Sequence, residues 1–137
     1  MLKASSWKGS IMPVVPRSAA PEFAVPQAGV TVVGLAAPSR GSSENCAWEV
    51  RFPPGEAGPA HSLDHEELFV VLTGHLTVTL GTVVHQVGPG DAVIAPAHQV
   101  FSIANPHDEP ASAIGIMPIG FQARIGDSEP FTPPWGV

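Results

Sequence analysis

A chain of 137 residues, 44% apolar and 13% charged, has enough material for one domain with a proper core and too little for two ordinary ones. A formal charge of -6 with no cluster of Lys or Arg argues against nucleic acid as a partner. No run approaches the roughly eighteen apolar residues that a membrane-crossing helix needs, and a lone cysteine, Cys46, excludes an intrachain disulfide.

Residues Met1 to Gln27 carry Pro13, Pro16, Pro21 and Pro26 and no sustained period of either two or 3.6, so they read as an extended arm. Trp7, Val14, Val15 and Phe23 are its apolar anchors, for use on its own domain or on a second subunit. Lys3 and Lys8 precede a stretch that Pro13 and Pro16 break before a signal-type apolar core forms, so the expected compartment is the cytoplasm. Beyond Gly29, β-branched and aromatic runs over Val30 to Ala37 and Cys46 to Phe52 read as strands around the turn cluster PSRGSSEN. Further short runs follow over Glu67 to Thr73, His75 to Leu80, Thr82 to Val87, Asp91 to Ala95, Gln99 to Ala104 and Ala111 to Ile119. Gly, Pro or Asn divides each from the next, which predicts an all-β sandwich or barrel of antiparallel sheets. The tail GDSEPFTPPWGV is Pro-rich, with Phe131 and Trp135 as anchors onto the body or a second subunit.

The stretch from Gly55 to Gly74 concentrates the polar chemistry. His61, Leu63, His65 and Glu67 alternate, and on one extended strand they would share a face. Imidazole and carboxylate on an apolar face are costly to bury unless they meet each other, a metal or a ligand; the alternative is a solvated strand entrance. Strand Glu67 to Thr73 is apolar on both faces, so the arm, the tail or a partner subunit is expected to cover its second face. Asp64, Glu66, Asp91, His107 and Asp108 read as turn or surface residues, and His75 and His85 as satisfied or exposed histidines on short strands.

Two linked motifs in this chain are similar to those of the cupins. The first runs Gly55, five residues, His61, then Glu67, six residues and Gly74. The second runs from Gly90 to Asn105, GDAVIAPAHQVFSIAN, with Pro96 and Asn105 in register. The resemblance implies a double-stranded β-helix, the jelly-roll cupin barrel, over residues 29–120, with an arm over 1–28 and a tail over 121–137 that packs on the barrel or on a partner.

The departures bear on function. Metal-binding cupins use two histidines and a glutamate of the first motif and a histidine of the second. Here His61 and Glu67 hold two of those places, while Leu63 and Phe101 hold the others and donate no lone pair; His98 stands where the motif's glycine is usual. The resemblance therefore implies a degenerate metal site and no resident cofactor. The alternative is a divalent metal (Fe, Mn, Ni or Zn) on a substitute set of His61, His65, Glu67 and His98, as in an oxygenase or isomerase. Without metal, His61 and Glu67 are a candidate acid/base pair for a metal-free isomerase, facing Leu63, Phe69, Val71, Phe101 and Ile103 as ligand-binding residues. The expected function is binding of a small apolar or aromatic metabolite in the barrel, by a homodimer without nucleic-acid or membrane partners.

Overall fold

The computed structural model describes residues 12–137, so the expected anchor Trp7 lies outside the described residues. Eleven strands follow in chain order: β1 (Glu22–Val25), β2 (Val30–Ala36), β3 (Asn45–Phe52), β4 (His61–Leu63), β5 (Glu67–Thr73), β6 (Leu76–Leu80), β7 (Val83–Val87), β8 (Ala92–Ala95), β9 (Phe101–Ala104), β10 (Ala111–Pro118) and β11 (Ala123–Ile125). Every pairing is antiparallel, in one sheet of order β1-β2-β3-β10-β5-β8 and another of order β11-β4-β9-β6-β7. The expected all-β jelly roll is present. No helix among the described residues is long and apolar enough to cross a membrane.

Alternation decides what each strand gives to the interior. On β3, Cys46, Trp48, Val50 and Phe52 are buried, while Ala47, Glu49 and Arg51 face outward. β10 repeats the pattern with Ala111, Ala113, Gly115 and Met117 inside. Gly115 pairs with Trp48 across the ladder, and a Cβ there would sit 2.6 Å from the indole, so the missing side chain makes room for the ring. Gly74 ends β5 at φ +73, and a Cβ would meet the Pro110 carbonyl at 2.5 Å.

The two motifs meet at Asn105, which is fully buried. Its side-chain amide donates to the carbonyls of Phe52 at 3.1 Å and Glu109 at 2.8 Å, and its side-chain oxygen accepts the His107 amide at 3.1 Å. Its backbone N–H donates to Glu56 at 2.7 Å and its carbonyl accepts the Gly55 N–H at 2.8 Å. One side chain thus ties the end of β3 to the loop between β9 and β10.

The described part of the arm and the tail both add strands to the barrel. β1 extends the larger sheet by pairing with β2, and β11 adds an edge strand beside β4. The tail returns through reciprocal backbone bonds between Ala123 and Phe131, at 2.7 and 3.0 Å. Trp135 packs against Phe23 and Trp48, with ring centroids 6.2 and 6.3 Å apart. Among the described residues, nothing in the arm or tail covers the outer face of β5: Leu68 and Leu72 are 39% and 44% exposed, and Ile94 on β8 is 59% exposed.

Candidate functional site

Between the sheets, at the end where β1, β2 and β3 face β4 and β11, lies a cavity of about 310 Å³. Val32, Val50, Phe52, Leu63, Phe69 and Ile103 form its aliphatic and phenyl walls. Trp48, Phe121, Trp135 and Phe131 with Pro133 form an aromatic end, where Trp48 stacks on Phe121 at 5.5 Å and 23°. Ala24, Gln27 and Pro134 also line it and are exposed, so they mark the end open to water. No Lys or Arg is among the lining residues; the ionisable ones are His61 and Glu67.

His61 begins β4, beside the bend at Pro59. Its Nδ1 lies 3.1 Å from the Pro59 carbonyl, which only accepts, so Nδ1 carries a proton and donates. The neutral ring then keeps its lone pair on Nε2. Burial lowers the imidazole pKa below its ordinary value, against a smaller opposing effect of the Pro59 carbonyl. Phe101, its cross-strand partner, packs on the ring with centroids 4.3 Å apart.

Glu67 opens β5 and is 6% exposed. Burial pushes its carboxyl up to about 8, with no hydrogen bond or cation among the described residues to counter it, so at neutral pH it is predominantly a carboxylic acid. No hydrogen bond joins His61 to Glu67 among the described residues. One cavity therefore contains a proton to donate and, separately, a lone pair to receive one.

The structure brings His61, Leu63, Glu67, Phe69 and Ile103 to this cavity. Val71 and Phe101 belong to the packed core and do not line it, which corrects their expected place at the ligand. His65 does not join His61 and Glu67. Asp64 to Glu66 form a turn between β4 and β5, which belong to different sheets, so the alternation that put all three on one face is interrupted. His65 is exposed and bonds Asp64 at 2.8 Å, while that carboxylate also accepts the Gln122 amide at 2.7 Å and ties the turn to the tail. His98 is exposed as well. Its φ of +67 is the left-handed conformation that favours glycine, which is why the motif usually has glycine there, and its N–H donates to the Leu63 carbonyl at 2.6 Å.

This donor set does not fit a divalent metal. Leu63 and Phe101 stand at two inherited positions, and among the described residues no three His, Cys, Asp or Glu side chains gather as a metal site requires. The sequence reading missed Trp48 and Phe121 as cavity walls. Trp48 was accessible through the inward parity it shares with Val50 and Phe52, whereas Phe121 lies outside any readable strand.

A family model described as a cupin domain matches residues 48–117, half of the chain. The chain belongs to the cupin family. No curated protein matches this cupin at a significant level. Among solved structures it is similar to the polyketide cyclase RemF from Streptomyces resistomycificus, with 21% identity, TM-score 0.70, and 79% of this chain and 80% of that one covered. It is also similar to a sugar phosphate isomerase of the cupin superfamily from Silicibacter pomeroyi, at 21% identity and TM-score 0.68, covering 85% and 83%. A predicted oxalate decarboxylase from Thermotoga maritima aligns at 16% identity and TM-score 0.64, covering 75% and 96%. Identities this low establish the cupin fold, on which many chemistries are built.

Proposed function

We propose that this cupin binds a small apolar or aromatic metabolite in its barrel. The observation that carries the reading is the Glu67 carboxyl, which has no partner among the described residues, in a hydrocarbon-walled cavity of about 310 Å³ where a ligand fits. Small-molecule sites span roughly 300–1,000 Å³ and combine apolar walls with a few convergent polar groups, which is the composition here. The expected result is a rise of several degrees in melting temperature with millimolar indole, on protein that carries substoichiometric metal by elemental analysis. Stoichiometric iron, nickel, zinc or manganese would replace this reading with a metal-dependent one.

A second reading, a metal-free acid/base isomerase or cyclase, is favoured by the protonation states. His61 Nε2 has the lone pair to take a proton from a carbon beside a carbonyl, and Glu67 has a proton to give to that carbonyl oxygen, so an enol forms with charge balanced. Deuterium uptake from solvent at that carbon of a bound ketone is the sign of it; a bound ketone that takes up none limits the site to binding.

We also propose a homodimer formed through the outer face of β10, β5 and β8. Leu68, Val70, Leu72, Ile94, Ile114 and Ile116 make it apolar, and no outward position of these three strands is charged, although the chain carries -6 overall. The adjacent rim has both signs, in the pairs Arg17–Glu49 and Arg51–Glu22, so a second copy meets hydrocarbon at the centre and complementary charge at the edge. Light scattering at micromolar concentration is expected to give a dimer mass, and the double variant Leu72→Glu, Ile94→Glu a monomer. A monomeric wild type overturns the interface.

A further inference from the structure

We propose that the cavity selects uncharged two-ring aromatic compounds bearing a hydrogen-bond-accepting oxygen, with Trp48 and Trp135 as the ring-binding walls and Glu67 as the donor to that oxygen. The inference rests on the ligand-binding reading and adds the chemical class.

Size gives the first constraint. An apolar cavity of roughly 150 Å³ takes one benzene ring, and about 310 Å³ accommodates two fused rings. Wall chemistry gives the second. Trp48 is held in place by its stack on Phe121 and by the space at Gly115, and Trp135 lies against it at 6.3 Å and 52°. A planar ligand ring gains offset or edge contacts on such walls beyond the area it buries. Charge gives the third. Among the described residues nothing cationic lines the cavity, so a phosphate or carboxylate entering it would lose its hydration without a counter-ion. The same environment holds Glu67 in its acid form, and an acid with no acceptor of its own donates to a ligand carbonyl. His61 Nε2, an acceptor, serves any hydroxyl on the same compound.

The test is calorimetric titration of the full chain at pH 6.5 with 2-acetylnaphthalene, 2-naphthyl phosphate and glucose 6-phosphate. The neutral ketone is expected to bind with a submillimolar Kd and each phosphate about tenfold more weakly or worse. Trp135→Ala should weaken the ketone by about fivefold. Glu67→Leu should weaken it by about three- to tenfold, whereas Glu67→Gln, which keeps a donor, stays near wild type. At pH 9 the wild type should lose affinity and Glu67→Gln should not, a difference that a purely packing role for the side chain does not produce. Tighter binding of either phosphate overturns the ligand class while leaving the cavity a binding site. No binding of any probe overturns the ligand-binding reading as well.

Discussion

Asn105→Leu is expected to cost about 3–5 kcal/mol of unfolding free energy, measured by urea denaturation at neutral pH. The substitution keeps the approximate volume and removes every side-chain hydrogen bond. The Phe52 and Glu109 carbonyls lose their donor and the His107 amide loses its acceptor, at a position with no solvent exposure. Each buried group left unpaired costs about 1–3 kcal/mol, and the exposed flanks of the loop at His107 and Glu109 allow water to recover part of the total. Asn105→Asp separates geometry from donation. It retains an acceptor for His107 but turns a carboxylate toward two carbonyl oxygens, so its deficit should shrink as the pH is lowered and the acid form donates again. A loss below about 1 kcal/mol for Asn105→Leu would mean that the end of β3 and the β9–β10 loop are held together by something else.

The second large effect is on the pH dependence of stability, and it belongs to Glu67. Its carboxyl titrates near 8 in the folded protein against 4.5 ordinarily. Below pH 4.5 both folded and unfolded chains hold the proton, so nothing is lost there. Between 4.5 and 8 the unfolded chain ionises while the folded one resists, and each pH unit removes about 1.4 kcal/mol. At pH 7 the wild type has thus lost about 3 kcal/mol relative to acid. Glu67→Gln is expected to remove this slope, leaving the variant more stable than wild type at pH 7 by up to about 3 kcal/mol and nearly equal at pH 4. His61 acts with the opposite sign. Its pKa is lowered, so its contribution is present above 6.5 and is lost as pH falls below that value. The wild-type profile therefore shows partial cancellation between pH 4.5 and 6.5, and Glu67→Gln uncovers the acid-side loss due to His61. Wild-type and Glu67→Gln stabilities that run parallel from pH 4 to 8 would place the carboxylate in a solvated or paired environment. Because the group that destabilises the empty protein is also the proposed ligand donor, a gain in stability without a gain in affinity is the expected trade-off.

The strands were legible because period two survives translation into a sheet. The span expected over Glu67 to Thr73 is the strand observed, and those at Cys46 to Phe52 and Ala111 to Ile119 differ from the observed ones by a single residue. Legibility failed where context overrides local pattern. The arm looked irregular because its prolines hide Glu22 to Val25, a strand that exists only by borrowing its ladder from β2. Ala123 to Ile125 is too short to signal by itself and is a strand because β4 lies beside it.

The same division runs through the site. Amino-acid order alone pointed to the barrel and to His61 and Glu67 within its motifs, and placed Leu63 and Phe101, which donate no lone pair, where the cupin motifs usually have histidine, since motif spacing and side-chain donor chemistry are local properties. Tertiary structure alone decided which of the alternating residues share a surface. A turn at Asp64 sends β4 and β5 into opposite sheets, carrying His65 out to water while returning Glu67 to the cavity of His61. It also decided that Trp48, Phe121 and Trp135, far apart in the chain, close one aromatic end of the cavity that Glu67, with no hydrogen-bond partner among the described residues, also lines. Burial and the absence of a counter-charge are properties of that enclosure, which is why the protonation of Glu67 became readable only from the folded chain.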